Sequence, residues 1–118
     1  MRNTGNAIVD LSFEFALSII VFSEQLEEKR KFVIAKQLLR SGTSVGANIW
    51  EAQNAESKAD FVHKMKIAAK EADEVEYWLE LCQESPNYPK TEELREGLIS
   101  IKKLLSKIIS TTKNRIKG

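Results

Sequence analysis

Apolar residues recur at helical spacing along almost the whole chain. Ile8, Leu11, Phe15, Ile19, Phe22 and Leu26 step by three or four residues, and Val9, Phe13, Ala16 and Ile20 form a second stripe beside them. This spacing predicts a first helix over about residues 6–26. Its apolar arc is broader than one bundle core requires, which either a covering subunit or an over-hydrophobic core helix would explain. A charged turn, EEKRK, reverses the chain, and Ile34, Leu38, Val45 and Ile49 mark a second helix over about residues 30–54. Ser57 followed three residues later by Asp60 is a capping signature for a third helix, about residues 58–84. That helix places Phe61, Met65, Ala68, Ala72, Val75, Leu79 and Cys82 on a seven-residue repeat, with small residues at 68, 69 and 72 that allow close approach. Both prolines fall in SPNYPK, which must break the helix. Thr91 then caps a fourth, about residues 91–114, bearing Leu94, Leu98, Ile101, Leu105, Ile108 and Thr112. No strand pattern, internal repeat, low-complexity tract or long linker competes. The pattern predicts an all-α chain, folded over residues 1–118 as one antiparallel up-down four-helix bundle.

The second helix departs from a simple amphipathic pattern in the stretch RSGTSVGANIWE. Gln37, Arg40, Ser44, Asn48 and Glu51 form a narrow polar stripe directly beside the apolar one, so they border the core. Glu71 and Glu74 share a face of the third helix with Ile67, Trp78 and Leu81, which lets a glutamate meet Arg40 or Asn48. A structural network of Arg40, Ser44, Asn48, Glu51 and Glu74, fixing the register of the two helices, is the favoured reading over a ligand site. Gly42 and Gly46 each cost about 1 kcal/mol relative to alanine in a helix, so they imply close backbone contact, a kink, or both. A phosphate loop is disfavoured, because GxxxxGK[ST] is missing and no strand precedes the glycines. Trp50 lies away from the apolar stripe, where an aromatic suits an oligomer contact.

Charge and composition narrow the chemistry. The 118 residues carry 18 basic and 17 acidic side chains, without the overall excess of a dedicated nucleic-acid binder. One cysteine and one histidine permit no internal disulfide and leave the chain short of most metal sites. Asp60 and His63 have the spacing of a carboxylate-histidine motif, but a di-iron centre needs more. Cys82 reads as a buried, inert thiol, and no Ser-His-Asp set can be assembled. The expectation is a non-enzyme with no catalytic residue, cofactor or metal. No segment suits a membrane span or a signal peptide, which points to the cytoplasm. The charge is uneven, however. Residues 58–84 hold four basic and seven acidic side chains, whereas residues 86–118 hold eight and three. Beyond Glu96 there is no acid, and Lys102, Lys103, Lys107, Lys113, Arg115 and Lys117 cover the outward side and tail of the fourth helix. They make either a solvated lysine face or a nucleic-acid surface.

Arg40, Ser44, Asn48 and Glu51, taken with SKADF and DEVEYWL, resemble the four-helix-bundle family first met as proteins encoded by intervening sequences within bacterial large-subunit ribosomal RNA genes. The resemblance covers about residues 10–109. Members usually have proline at the position of Gly46, alanine at that of Trp50 and glycine at that of Ala52. The resemblance implies a ring-like homopentamer, since known relatives look like one. It also implies a nucleic-acid context, since related accessory proteins of diversity-generating retroelements associate with a reverse transcriptase and nucleic acid. The resulting expectation is a non-catalytic, self-assembling bundle, a scaffold or adaptor in a nucleic-acid-linked complex. The alternative is a sequence-nonspecific RNA or DNA binder acting through the fourth helix.

Overall fold

A computed structural model describes residues 2–117 and contains four helices, α1 (Ala7–Glu28), α2 (Phe32–Ala52), α3 (Lys58–Glu84) and α4 (Glu92–Lys117). The described residues include no strand. The envelope measures 51 × 25 × 20 Å, as expected of helices about 40 Å long lying side by side. Each helix packs on its neighbours in chain order and α4 returns to α1, so α1 and α3, like α2 and α4, face each other diagonally across the core. Short connections and this order of packing are consistent with an up-down course.

The helix ends follow from local chemistry. Asn6 caps α1 by accepting the Val9 N–H through its side-chain oxygen. At the other end Arg30 takes φ 64°, Lys31 N–H donates to Leu26 O at 2.8 Å, and Arg30 N–H donates to Glu27 O. This left-handed closure satisfies the last carbonyls of α1. It also takes Arg30 out of α2, which starts at Phe32 rather than near residue 30. Beyond Ala52 the N–H groups of Gln53, Asn54 and Ala55 reach back three residues instead of four, ending α2 two residues earlier than expected. The bounds of α3 coincide with those expected, and Ser57 Oγ accepts the Asp60 N–H at 3.0 Å. Thr91 stands at the cap position of α4, its carbonyl accepting the Arg95 N–H at 2.9 Å, while its buried hydroxyl donates to Leu79 O at 3.1 Å and so ties the start of α4 to the last turns of α3. With no proline or glycine between Gly97 and Gly118 to stop it, α4 continues to Lys117.

The core differs from the sequence pattern mainly in α1. Ile8, Val9, Phe15, Ile19, Phe22 and Leu26 are buried, but Leu11 and Ile20, both expected on apolar stripes, are exposed. In α3 Val62 is buried and Phe61 only partly, with the rest of the seven-residue repeat buried as expected. The glycines of α2 mark a close approach to α1. A Cβ on Gly42 would lie 2.7 Å from Ile19 Cγ2, and one on Gly46 would lie 3.2 Å from the Ser12 carbonyl oxygen. The two glycines therefore serve close contact, and α2 runs unbroken through both.

Gly42→Ala sets two effects against each other. Alanine's helix propensity adds about 1 kcal/mol, whereas crowding a fully buried, β-branched Ile19 costs about 1–3 kcal/mol. Denaturant unfolding of Gly42→Ala should show a net loss of about 1 kcal/mol. In an Ile19→Ala background, which removes both colliding carbons, the same change should become stabilising. A loss of equal size in both backgrounds would mean that Ile19 does not set the requirement for glycine.

Candidate functional site

The polar stripe of α2 meets α3 most closely at Arg40. Arg40 pairs with Glu74 through Nη2 and with Glu71 through Nη1 at 3.2 Å, and Trp78 Nε1 donates to the same Glu74 oxygen at 3.0 Å. Glu74 and Trp78 are one helical turn apart, so the indole reaches the carboxylate from its own helix while Arg40 approaches from the neighbour. The Trp78 hydrogen bond, followed by that of Arg40, holds the Glu74 carboxyl below its ordinary range. The Glu74 hydrogen bond in turn raises the Arg40 pKa, against an opposing effect of burial. The Arg40 side chain is 49% exposed, so this is a surface ion pair with one semi-buried partner rather than a buried network. Pairs of that kind contribute about 0.2–1 kcal/mol.

The other residues of the stripe bond elsewhere. Asn48 Nδ2 donates to the Ser44 carbonyl of its own helix at 2.9 Å, and Ser44 and Asn48 are half-buried. Glu51 is exposed and approaches Lys64 Nζ at 3.7 Å. Among the described residues no side-chain hydrogen bond joins Asn48 to Glu74, so the expected five-residue network divides into separate contacts. The reason is offset along the bundle: Asn48 and Glu51 lie two and three turns beyond Arg40, past the reach of Glu74. The spacing of Glu74 and Trp78 was the available signal for the indole's part in this cluster.

On α4 the basic residues fall into two groups. Lys102 folds back onto α3, with Nζ 2.7 Å from Glu76 Oε1 and 2.9 Å from Asp73 Oδ1. Burial works against its charge, but the hydrogen bonds to Glu76 and Asp73 outweigh that and leave its pKa raised. Lys102 is thus a bundle ion pair and not part of an outward cationic face. The exposed residues Lys103, Lys107, Lys113 and Arg115 form no ion pair among the described residues, and Lys117 is exposed in the last turn. Lys113 and Lys117 border a cleft of about 480 Å³ between α3 and α4, with Ser106, Ser110 and Asn114.

Trp50 is 51% exposed. Its ring centroid lies 6.4 Å from that of Phe13, and the Arg2 guanidinium stacks against both rings. Sequence periodicity offered no signal for Arg2, because it precedes the periodic part of the chain. His63 is exposed, and the Asp60 carboxylate accepts the Glu56 N–H at 3.2 Å, so the two serve the surface and the start of α3. Burial pushes the Cys82 thiol up to about 11, which keeps it protonated and unreactive near neutrality. None of the four helices is long and apolar enough to cross a membrane.

The Glu74 cluster has a pH signature. Because the folded chain holds this carboxyl below its ordinary value of 4.5, folding favours the ionised form. Its contribution is complete above about pH 4.5 and is lost as pH falls through the lowered value. Glu74→Gln should remove that part of the acid dependence in urea unfolding measured between pH 3 and 6. Glu74→Ala and Arg40→Ala should couple in a double-mutant cycle, whereas Glu74→Ala and Asn48→Ala should add within about 0.3–0.5 kcal/mol. Coupling of Glu74 to Asn48 instead would restore the single network.

Over residues 5–110 the chain matches the family described as 23S rRNA-intervening sequence protein. It is also similar to a protein of unknown function from the S23 ribosomal protein family of Bacteroides thetaiotaomicron, known from a crystal structure. The two are 47% identical and superimpose with a TM-score of 0.82, over 86% of this chain and 97% of the other. No curated protein matches the chain. A match over most of the length, carried by the four helices that position Arg40, Glu71 and Glu74, shows that the chain belongs to the 23S rRNA-intervening sequence protein family.

Proposed function

We propose that this chain is a non-catalytic helical bundle that assembles with copies of itself and acts as a scaffold or adaptor in a nucleic-acid-linked complex. The observation that carries the assembly is the outward strip of α1. Leu17, Ile20 and Val21 are 46%, 39% and 54% exposed in the middle of the helix. Large apolar groups so closely spaced on one helix suit coverage by another chain. A ring-like homopentamer would join this strip to a different face of the next copy, because a five-fold ring requires two unlike surfaces on each subunit. The link to nucleic acid rests on the family to which the chain belongs.

Light scattering should give a mass several times the 13.4 kDa of one chain, and five times that mass for the pentamer. Leu17→Glu combined with Val21→Glu should reduce the mass to one chain while the helical circular dichroism is retained. A monomer at micromolar concentration without any substitution would overturn the assembly.

A second reading is favoured by the exposed cations of α4. Lys103, Lys107, Lys113 and Arg115 follow one another without an intervening acid, on a helix whose carboxyl end they also stabilise through its dipole. Lysines meet phosphates as point charges, so RNA or DNA would bind with little dependence on sequence and with affinity falling steeply as salt rises. Changing Lys103, Lys107 and Lys113 to glutamate should abolish binding of mixed-sequence RNA and leave the oligomer mass intact. Absence of binding by the unaltered chain at low salt would eliminate this reading.

A further inference from the structure

The wedge formed by Phe13 and Trp50 already holds a cation. Arg2 belongs to the segment before α1, yet its guanidinium carbon lies 4.0 Å from the Phe13 ring centroid and 5.7 Å from that of Trp50. The two rings are inclined at 36°, open enough to receive a planar group. A guanidinium suits this position because it is weakly hydrated, lies flat on an aromatic face and is attracted by the negative ring quadrupole. Arg2 Nε is buried and has no hydrogen-bond partner, so the rings, and not a carboxylate at that nitrogen, hold the head group.

The backbone of the same segment is tied down independently. Arg2 N–H donates to Glu14 Oε1 at 3.0 Å, Thr4 donates through both N–H and hydroxyl to Asp10, and Asn6 Nδ2 donates to Gln53 Oε1 at 3.1 Å. Beside the wedge, a hollow of about 320 Å³ opens between α1 and α2, walled by Val9, Ala16, Gly46 and Ala47, with Glu51 also lining it. Two aromatic faces that already take a guanidinium and an adjoining apolar hollow share one complement: an arginine next to a small apolar residue.

We propose that Phe13 and Trp50 form a recognition site for an arginine side chain presented by a partner protein, with Arg2 as its built-in competitor. Arg2 is tethered a few residues from the wedge and acts at a high effective concentration, of the order of millimolar for a short linker. A partner's arginine must displace it, so the apparent affinity falls by the fraction of chains in which the wedge is free. Lysine is the poorer ligand, because its compact, strongly hydrated ammonium cannot lie flat between the rings.

The probe is the blocked tripeptide acetyl-Ala-Arg-Ala-amide, followed by NMR. A ring current should move the arginine δ-protons upfield when the peptide binds between the rings. The Arg2→Ala chain should bind at least three-fold more tightly than the chain that retains Arg2. The lysine analogue should bind several-fold more weakly to Arg2→Ala, and Phe13→Ala with Trp50→Ala should abolish the shift. Equal affinity with and without Arg2, equal affinity for lysine, or a shift that survives loss of both rings would overturn the proposal. Should the double variant lose helicity, acrylamide quenching decides in a chain carrying Trp78→Phe and Arg2→Ala, where Trp50 is the only indole. The peptide must protect Trp50 from quenching, and unchanged quenching would also overturn the site. Light scattering on the same samples separates this result from assembly, since peptide occupancy leaves the mass unchanged.

Discussion

The distance between α1 and α2 governs the rest of this molecule. Ile19 projects into the space that a side chain at position 42 would occupy, and the Ser12 carbonyl lies over the bare Cα of Gly46. Two glycines one turn apart bring the helices close enough for Ile19, Leu38, Val45 and Ile49 to be completely buried. Helix propensity is sacrificed at both positions, and dispersion contacts between tightly fitted side chains offset the loss. With this separation fixed, α2 also presents its polar stripe to α3 at a set height, which brings Arg40 opposite Glu71 and Glu74. The short separation also places Phe13 and Trp50 within one aromatic contact of each other.

Charge plays a different part on each side of α3. Toward α2 it offers Glu71 and Glu74 to a single arginine, and toward α4 it offers Asp73 and Glu76 to a single lysine. A further bridge joins Glu80 to Arg95. These pairs are too exposed to contribute much stability individually. Their value is directional, since the acidic surface of α3 opposes a cation on both neighbours and disfavours sliding of either by a turn. This arrangement also settles how much of the basic excess in α4 faces outward: Lys102 and Arg95 are engaged within the bundle, and the exposed cations begin at Lys103.

Much of the architecture was legible from periodicity because a helix repeats its environment every three to four residues. Ser57 with Asp60, the two prolines, and the repeat from Met65 to Cys82 placed α3 to the residue. The start of α2 was not legible, because arginine carries no mark of the left-handed conformation that Arg30 adopts; glycine there would have announced it. Leu11 and Ile20 were misplaced because an apolar residue on a helix can face a core, a partner or solvent with the same spacing. The polar stripe was recognisable as a set, but its partners were not, since which turn of α3 stands opposite Arg40 depends on three-dimensional register. Arg2 gave no signal at all, as cation-aromatic stacking from a non-helical segment has no period.

The four helices are closed into a bundle by one contact that joins distant parts of the chain, that of α1 with α4. Along this seam a surface groove of about 770 Å³ is lined by Leu11 and Val21 of α1 and by Leu94 and Gly97 of α4, above the buried Phe15 and Ile101. The other three seams unite helices adjacent in sequence and are more closely fitted. Partial opening of the native state is expected to start between the first and last helices, with Thr91 keeping the base of α4 anchored to α3. Such a movement would leave the glycine-lined crossing of α1 and α2 intact, and the first three helices are expected to exchange more slowly than the fourth.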